Sequence, residues 1–211
     1  MIKLKVIRMK TSTVIFASAC MIFGLSACNN SRTADDSVEQ AQDVNDTTAL
    51  VETDDSEFAV KAADAGLAEI ELGKMALARA SDQRVKDYAQ MMIDDHNKSN
   101  DELMTIAAKK NITLPPVPSE DHAKNMRDLQ DLSGREFDNA YINQMVRDHG
   151  NVVSLFEDAA KGANDADLKS FASKTLPVLQ GHHERAKELR DSLDGGTTGV
   201  AGQQPETRVM P

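Results

Sequence analysis

Between residues 57 and 193 the apolar residues fall into four long runs at three- and four-residue spacing, and no stretch of this region sustains apolar–polar alternation. A chain patterned this way presents one apolar stripe per helix and must bury each stripe against another. β-Branched residues are sparse. Ala, Leu, Met, Glu, Lys and Gln dominate, and these lose little side-chain freedom in a helix. The region is therefore expected to be all-α.

The first run, about 56–80, aligns Phe58, Ala62, Ala65, Leu72 and Ala76, with Glu57, Lys61, Asp64 and Glu71 assigned to the outer face. The second, about 82–110, aligns Val85, Ala89, Met92, Leu103 and Ala107 and stops before Leu114-Pro115-Pro116-Val117-Pro118. A short amphipathic turn or helix with Met126, Leu129 and Leu132 leads to Ser133-Gly134. The third run, about 134–161, aligns Phe137, Tyr141, Met145, Val152, Phe156 and Ala159. The fourth, about 165–192, aligns Leu168, Phe171, Thr175, Leu179, Ala186 and Leu189, with Pro177 on the far face as an expected kink. Four long helices with mostly short connections predict an antiparallel four-helix bundle over 57–193, with a short extra helix between the second and third.

The flanks read differently. Residues 1–27 carry Lys3, Lys5, Arg8 and Lys10 and then an uncharged apolar stretch, the pattern of a secretory signal. That stretch is shorter than the roughly 20 residues of a membrane-spanning helix. It ends in Leu25-Ser26-Ala27-Cys28, which resembles the lipobox of bacterial lipoproteins. On that reading Cys28 is acylated and becomes the first mature residue, so the protein is exported and held to a membrane by lipid. Asn29 in the next position favours the periplasmic side of the outer membrane, by analogy with lipoprotein sorting. The alternative is plain cleavage, with Cys28 left as a free thiol. Residues 28–56 are rich in Asp, Glu, Thr, Asn and Gln and are expected to form a flexible acidic tether. Residues 194–211 are expected to be a disordered tail.

The formal charge of −10 and pI near 4.9 argue against a nucleic-acid partner, which needs a basic surface to displace counterions. They leave open a cationic protein partner or self-association. No Ser/His/Asp order, Gly-rich phosphate loop or Cys cluster suggests catalysis.

Winding the runs at about 100° per residue puts five ionisable residues inside the apolar stripes. Glu69 falls on the first, His96 on the second, Asp138 and His149 on the third, and His182 on the fourth. At about 1.5 Å per residue, Glu69, His96, His149 and His182 lie roughly 18 to 28 Å from their turns and can share one layer. Asp138 lies about 16 Å from His149 along the axis and cannot join them. It is assigned a helix-terminus or buried hydrogen-bonding role instead. An acid and three imidazoles buried at one level must pair or bind something. They suit a single Zn, Fe or Cu ion as Glu69, His96, His149 and His182, and bundle cores are common places for such sites. A metal-free Glu–His network that fixes helix register is the competing reading. Asp95 borders the stripe and is expected to orient His96, whereas His122 and His183 are assigned to the surface.

Phe58, Ala68-Glu69-Ile70-Glu71-Leu72-Gly73 and Met91-Met92-Ile93-Asp94-Asp95-His96 resemble the bacterial family called domain of unknown function 4142. Phe137-Asp138-Asn139-Ala140-Tyr141, Asp148-His149 and Thr175-Leu176-Pro177 followed by His182 agree with it in order. The resemblance covers about 57–190. It implies a ferritin-like helical bundle exported to the cell envelope, with no settled activity and no catalytic residue to carry over. Di-iron members of that architecture use Glu-x-x-His on two helices. Here the residues three before His96, His149 and His182 are Ile93, Val146 and Leu179, which disfavours a two-iron oxidase. The function expected is that of a non-catalytic envelope lipoprotein holding one metal ion. The rivals are a metal-free binding or scaffolding bundle in envelope stress response and, behind it, a metal-dependent oxidase or peroxidase.

Overall fold

A computed structural model of the chain describes residues 35–195. The signal sequence, Cys28 and the tail beyond Gly195 lie outside the described residues. Those residues form six helices and no strand: α1 (Asp35–Thr48), α2 (Thr53–Arg79), α3 (Gln83–Lys110), α4 (Glu120–Gln130), α5 (Gly134–Gly162) and α6 (Ala166–Gly195). The four predicted long helices are α2, α3, α5 and α6, and the short extra helix is α4. No described helix is long and apolar enough to cross a membrane.

Local signals set the ends. Asp82 accepts from Arg84 N at 2.8 Å at the start of α3. The same helix stops where Asn111 takes a left-handed φ of 54°, after Lys109 and Lys110 in its last turn. Asp165 accepts from Asp167 N and Leu168 N at 3.0 and 3.1 Å and so caps α6. α6 runs without a break past Pro177, on the exposed side of the helix.

Helix α2 packs on α3 and α5 on α6, and the two pairs meet through α2 with α5 and α3 with α6. Each hairpin's turn is fastened by a buried acid of the other hairpin. Asp138 on α5 accepts from Ser81 N, Asp82 N and Ser81 Oγ at 2.9, 3.0 and 2.5 Å. Asp55 on α2 accepts from Asn164 N and Asp165 N at 3.1 and 2.7 Å. The expected hydrogen-bonding role of Asp138 is thus what the structure displays. Gly73 lets α2 approach α3 closely. A Cβ there would lie 2.8 Å from Ile93 Cγ1 and 3.1 Å from the Ala89 carbonyl oxygen.

The segment 35–56 departs from the expected tether. Its residues 35–48 are helical, and α1 packs on α2 and α4. Ala41 is buried, and Asn45 pairs both ways with Thr113: Asn45 Nδ2 donates to the carbonyl at 3.0 Å, and Thr113 N donates to Asn45 Oδ1 at 2.7 Å. Leu50 N also donates to the Lys110 carbonyl at 2.8 Å. These backbone attachments, rather than a broad apolar face, order the segment.

The core comes in two apolar clusters. One gathers Phe58, Leu103, Phe156, Leu168 and Phe171; the other gathers Leu72, Met92, Phe137, Tyr141, Met145 and Leu189. On every long helix the cluster changes across one ionisable residue: Glu69, His96, His149 or His182. A polar layer therefore divides the core.

Candidate metal centre

All four residues of that layer are enclosed, with 2, 5, 0 and 3% of the surface of Glu69, His96, His149 and His182 exposed. The imidazole ring centres of His96, His149 and His182 lie 5.5 to 6.0 Å apart. One ring nitrogen from each falls within 4.8 Å of the other two, close enough for one ion to bridge. Glu69 is not in that mutual set. It sits beside it, with Oε2 2.8 Å from His96 Nε2 and Oε1 3.3 Å from His149 Nδ1.

Hydrogen bonds occupy one nitrogen on each of two rings. His149 Nδ1 lies 3.0 Å from the Met145 carbonyl oxygen, one turn back on the same helix, and so donates its proton there. His182 Nε2 lies 2.9 Å from Asp95 Oδ2 on α3. His149 Nε2 and His182 Nδ1 are left buried without a hydrogen-bond partner. His96 Nε2 and both Glu69 oxygens also lack a hydrogen bond of good geometry, although Oε2 lies 2.8 Å from His96 Nε2 and Oε1 3.3 Å from His149 Nδ1. A backbone carbonyl on one ring and a carboxylate on another are the partners by which proteins fix imidazoles that ligate metals. Asp95 therefore does orient an imidazole, but that of His182 on the facing helix, not that of its neighbour His96.

Charge sharpens the picture. Burial lowers the pKa of His149 to about 4 against the pull of Glu69, and burial likewise lowers that of His182 against Asp95. For Glu69, burial raises the pKa, and the charges of His149 and His96 outweigh it, down to about 2. These two effects compete, because the charge that lowers Glu69 is the one burial removes from His149. The neutral form of His149 fits its complete enclosure and its bond to Met145. The Glu69 carboxylate then lies 3.3 Å from a neutral His149, and an added cation would offset its charge.

Two cavities flank the layer. The larger, about 100 Å³, ends on Glu69, His96 and His182 and is walled by Leu103, Phe156, Phe171 and Leu179. The smaller, about 60 Å³, lies against Glu69 beside His122, Asp148 and Asn151. Neither is legible in the sequence, since a cavity is a property of facing helices.

Two residues assigned to the surface prove otherwise. Asp64 is buried, accepts from Ser119 N at 2.7 Å and lies 3.1 Å from His122 Nδ1, which is half-buried. Tyr141 was placed in the core and is there, but its hydroxyl has no hydrogen-bond partner. Burial and the Glu69 charge push that phenol's pKa up. Tyr88 OH donates to the His182 carbonyl at 3.3 Å.

An all-helical protein whose core is split by three convergent imidazoles and a carboxylate is the class these observations define. The family described as domain of unknown function (DUF4142) matches residues 39–189, and the chain belongs to it. The match begins inside α1, in keeping with that helix being part of the folded unit. No curated protein and no solved structure matches the chain.

Proposed function

We propose that this protein is an exported, lipid-anchored envelope protein. Its helices form a ferritin-like four-helix bundle that holds one transition-metal ion, Zn, Fe or Cu, in the core. His96, His149 and His182 supply the three nitrogens, and Glu69 stands beside them as charge compensation or a fourth ligand. The observation that carries the reading is that three buried imidazoles place one nitrogen each within 4.8 Å of one another, while His149 and His182 each have one nitrogen hydrogen-bonded and the other buried without a partner. Imidazole nitrogens grouped in this way suit borderline-soft divalent ions. No reaction is assigned to the site. Export and the lipid on Cys28 are supported by the leader and lipobox pattern of residues 1–28.

Metal analysis of protein made without a His-tag and purified without chelator tests the proposal. About one ion per chain is expected in wild type and almost none in His96→Ala. Negligible metal in both ends it.

The 2.8 Å approach of Glu69 to His96 favours a second reading, in which an ionic contact sets helix register without metal and the acidic surface serves a scaffolding role. That reading requires a melting temperature indifferent to chelator, whereas a bound ion stabilises the fold by mass action and chelation lowers it.

A further inference from the structure

The cavity of about 100 Å³ reaches the surface between α3 and α6, where Lys98, Lys174 and Val178 are exposed at its rim. His149 is not among its lining residues, whereas Glu69, His96 and His182 are. The imidazole set is thus closed on the α5 side and open toward the cavity. Ala62, Ala65 and Gly66 on α2 leave the space that larger residues would fill, and a side chain at Gly66 would collide with Asn100.

We propose that this cavity is a ligand pocket, in which an ion held by His96, His149 and His182 keeps one coordination position for a small anion entering between α3 and α6. The proposal rests on the metal reading above and adds the ligand to it. Three protein ligands on a four-coordinate ion leave such a position, with Glu69 acting beside the ion as charge compensation rather than as a ligand. Size limits the occupant: an apolar cavity of about 150 Å³ holds benzene, so this one takes only a few non-hydrogen atoms. Charge selects an anion. Glu69 offsets only one unit of a divalent charge, and Lys98 adds a cation at the rim. Lys174 is paired with Glu102 at 2.7 Å, and the charge of Asp95 is screened by solvent, its side chain being 42% exposed. Apolar walls of Phe156, Phe171, Leu103 and Leu179 strengthen the attraction between metal and anion by excluding water.

The test uses Co²⁺ as the metal and azide as the anion, read by the visible absorption of Co²⁺. The expected result is a Co²⁺ band in wild type that azide shifts saturably. Rim variants Thr175→Phe and Val178→Trp should keep the band and weaken azide binding tenfold or more. Size selection checks the same claim without any variant, because cyanate should act like azide and 2-naphthoate should not. A Co²⁺ band that ignores azide overturns the pocket and leaves the metal reading standing. So does azide binding unaffected by both rim variants, or naphthoate binding as azide does. Absence of any Co²⁺ band overturns the metal reading, and the pocket falls with it.

Discussion

His182 on α6 and Asp95 on α3 meet with Nε2 2.9 Å from Oδ2, while Nδ1 of the same ring is buried without a hydrogen-bond partner. The carboxylate fixes which nitrogen carries the proton. It thereby leaves Nδ1 of His182 as the bare nitrogen. Asp95 is itself partly exposed, with 42% of its side chain open to solvent, so its worth lies in orienting the ring rather than in Coulomb energy.

Replacing Asp95 by Asn should therefore leave the fold intact and weaken metal binding about 10- to 100-fold, the usual effect of losing such a partner. Competition against a chromophoric chelator measures the affinity, and circular dichroism checks the fold. Wild-type affinity in Asp95→Asn would show that His182 needs no orienting group.

Asp138 holds the turn between α2 and α3 through three donors, Ser81 N, Ser81 Oγ and Asp82 N, at a site only 1% exposed. Truncation to Ala removes a charged acceptor shared by three donors on a partly exposed turn, so Asp138→Ala should lower stability by about 1.5 to 3 kcal/mol in denaturant unfolding. Metal affinity, measured under conditions where the variant is folded, should change little. A loss under about 0.5 kcal/mol would mean that water replaces the carboxylate at no cost.

The long helices and the polar layer were legible because a side chain's face follows from its place in the helical repeat. Glu69, His96, His149 and His182 interrupt otherwise apolar stripes, and depth from the turns put them at one level. The partner of Asp95 was not legible. Residues 95 and 96 are about 100° apart on the helix, so adjacent positions serve different neighbours. Asp64 was misplaced for a related reason: its partners, Ser119 and His122, come from the start of α4, which packs across α2. Helix α1 was missed because its attachment rests on Ala41 and on the polar side chains of Ser37, Gln42 and Asn45, which leave no apolar periodic trace.

Asn45 is accordingly the residue that tests whether α1 belongs to the folded unit. Its amide both donates to and accepts from the Thr113 backbone while being 3% exposed. Asn45→Ala should cost about 1 to 3 kcal/mol and raise hydrogen exchange along 35–48. Unchanged exchange there would return the segment to a tether.

Gly73 marks the close approach of α2 and α3. A Val in its place would press on Ile93 Cγ1 and the Ala89 carbonyl, which a Cβ alone already meets at 2.8 and 3.1 Å. Overpacking of this kind costs about 1 to 3 kcal/mol. Gly73→Val should therefore melt well below wild type. Since His96 lies one turn beyond Ile93, it should also weaken metal binding. A Tm within the error of wild type would show that the helices separate freely.

The pair His122 and Asp64 gives the fold a pH dependence apart from the imidazole layer. Burial alone would lower the His122 pKa, but the hydrogen bond and charge of Asp64 outweigh it and raise it above the ordinary 6.5. Asp148 on α5 and Glu69 on α2 face the same ring and act in the same direction. For Asp64, burial raises the pKa, and His122, with help from Ser119, brings it below the ordinary 3.8. A raised His pKa contributes stability that is full below 6.5 and is lost as pH climbs through the higher folded value. A lowered Asp pKa contributes stability that is full above 3.8 and is lost as pH drops through the lower folded value. Both contributions are complete between 3.8 and 6.5. The Tm advantage of wild type over His122→Ala should therefore be largest near about pH 5 and shrink by about pH 9, where the ring is neutral. The comparison is made in the presence of chelator, so that no metal equilibrium enters. An advantage that stays constant or grows toward high pH would mean that His122 acts by packing and not by its charge.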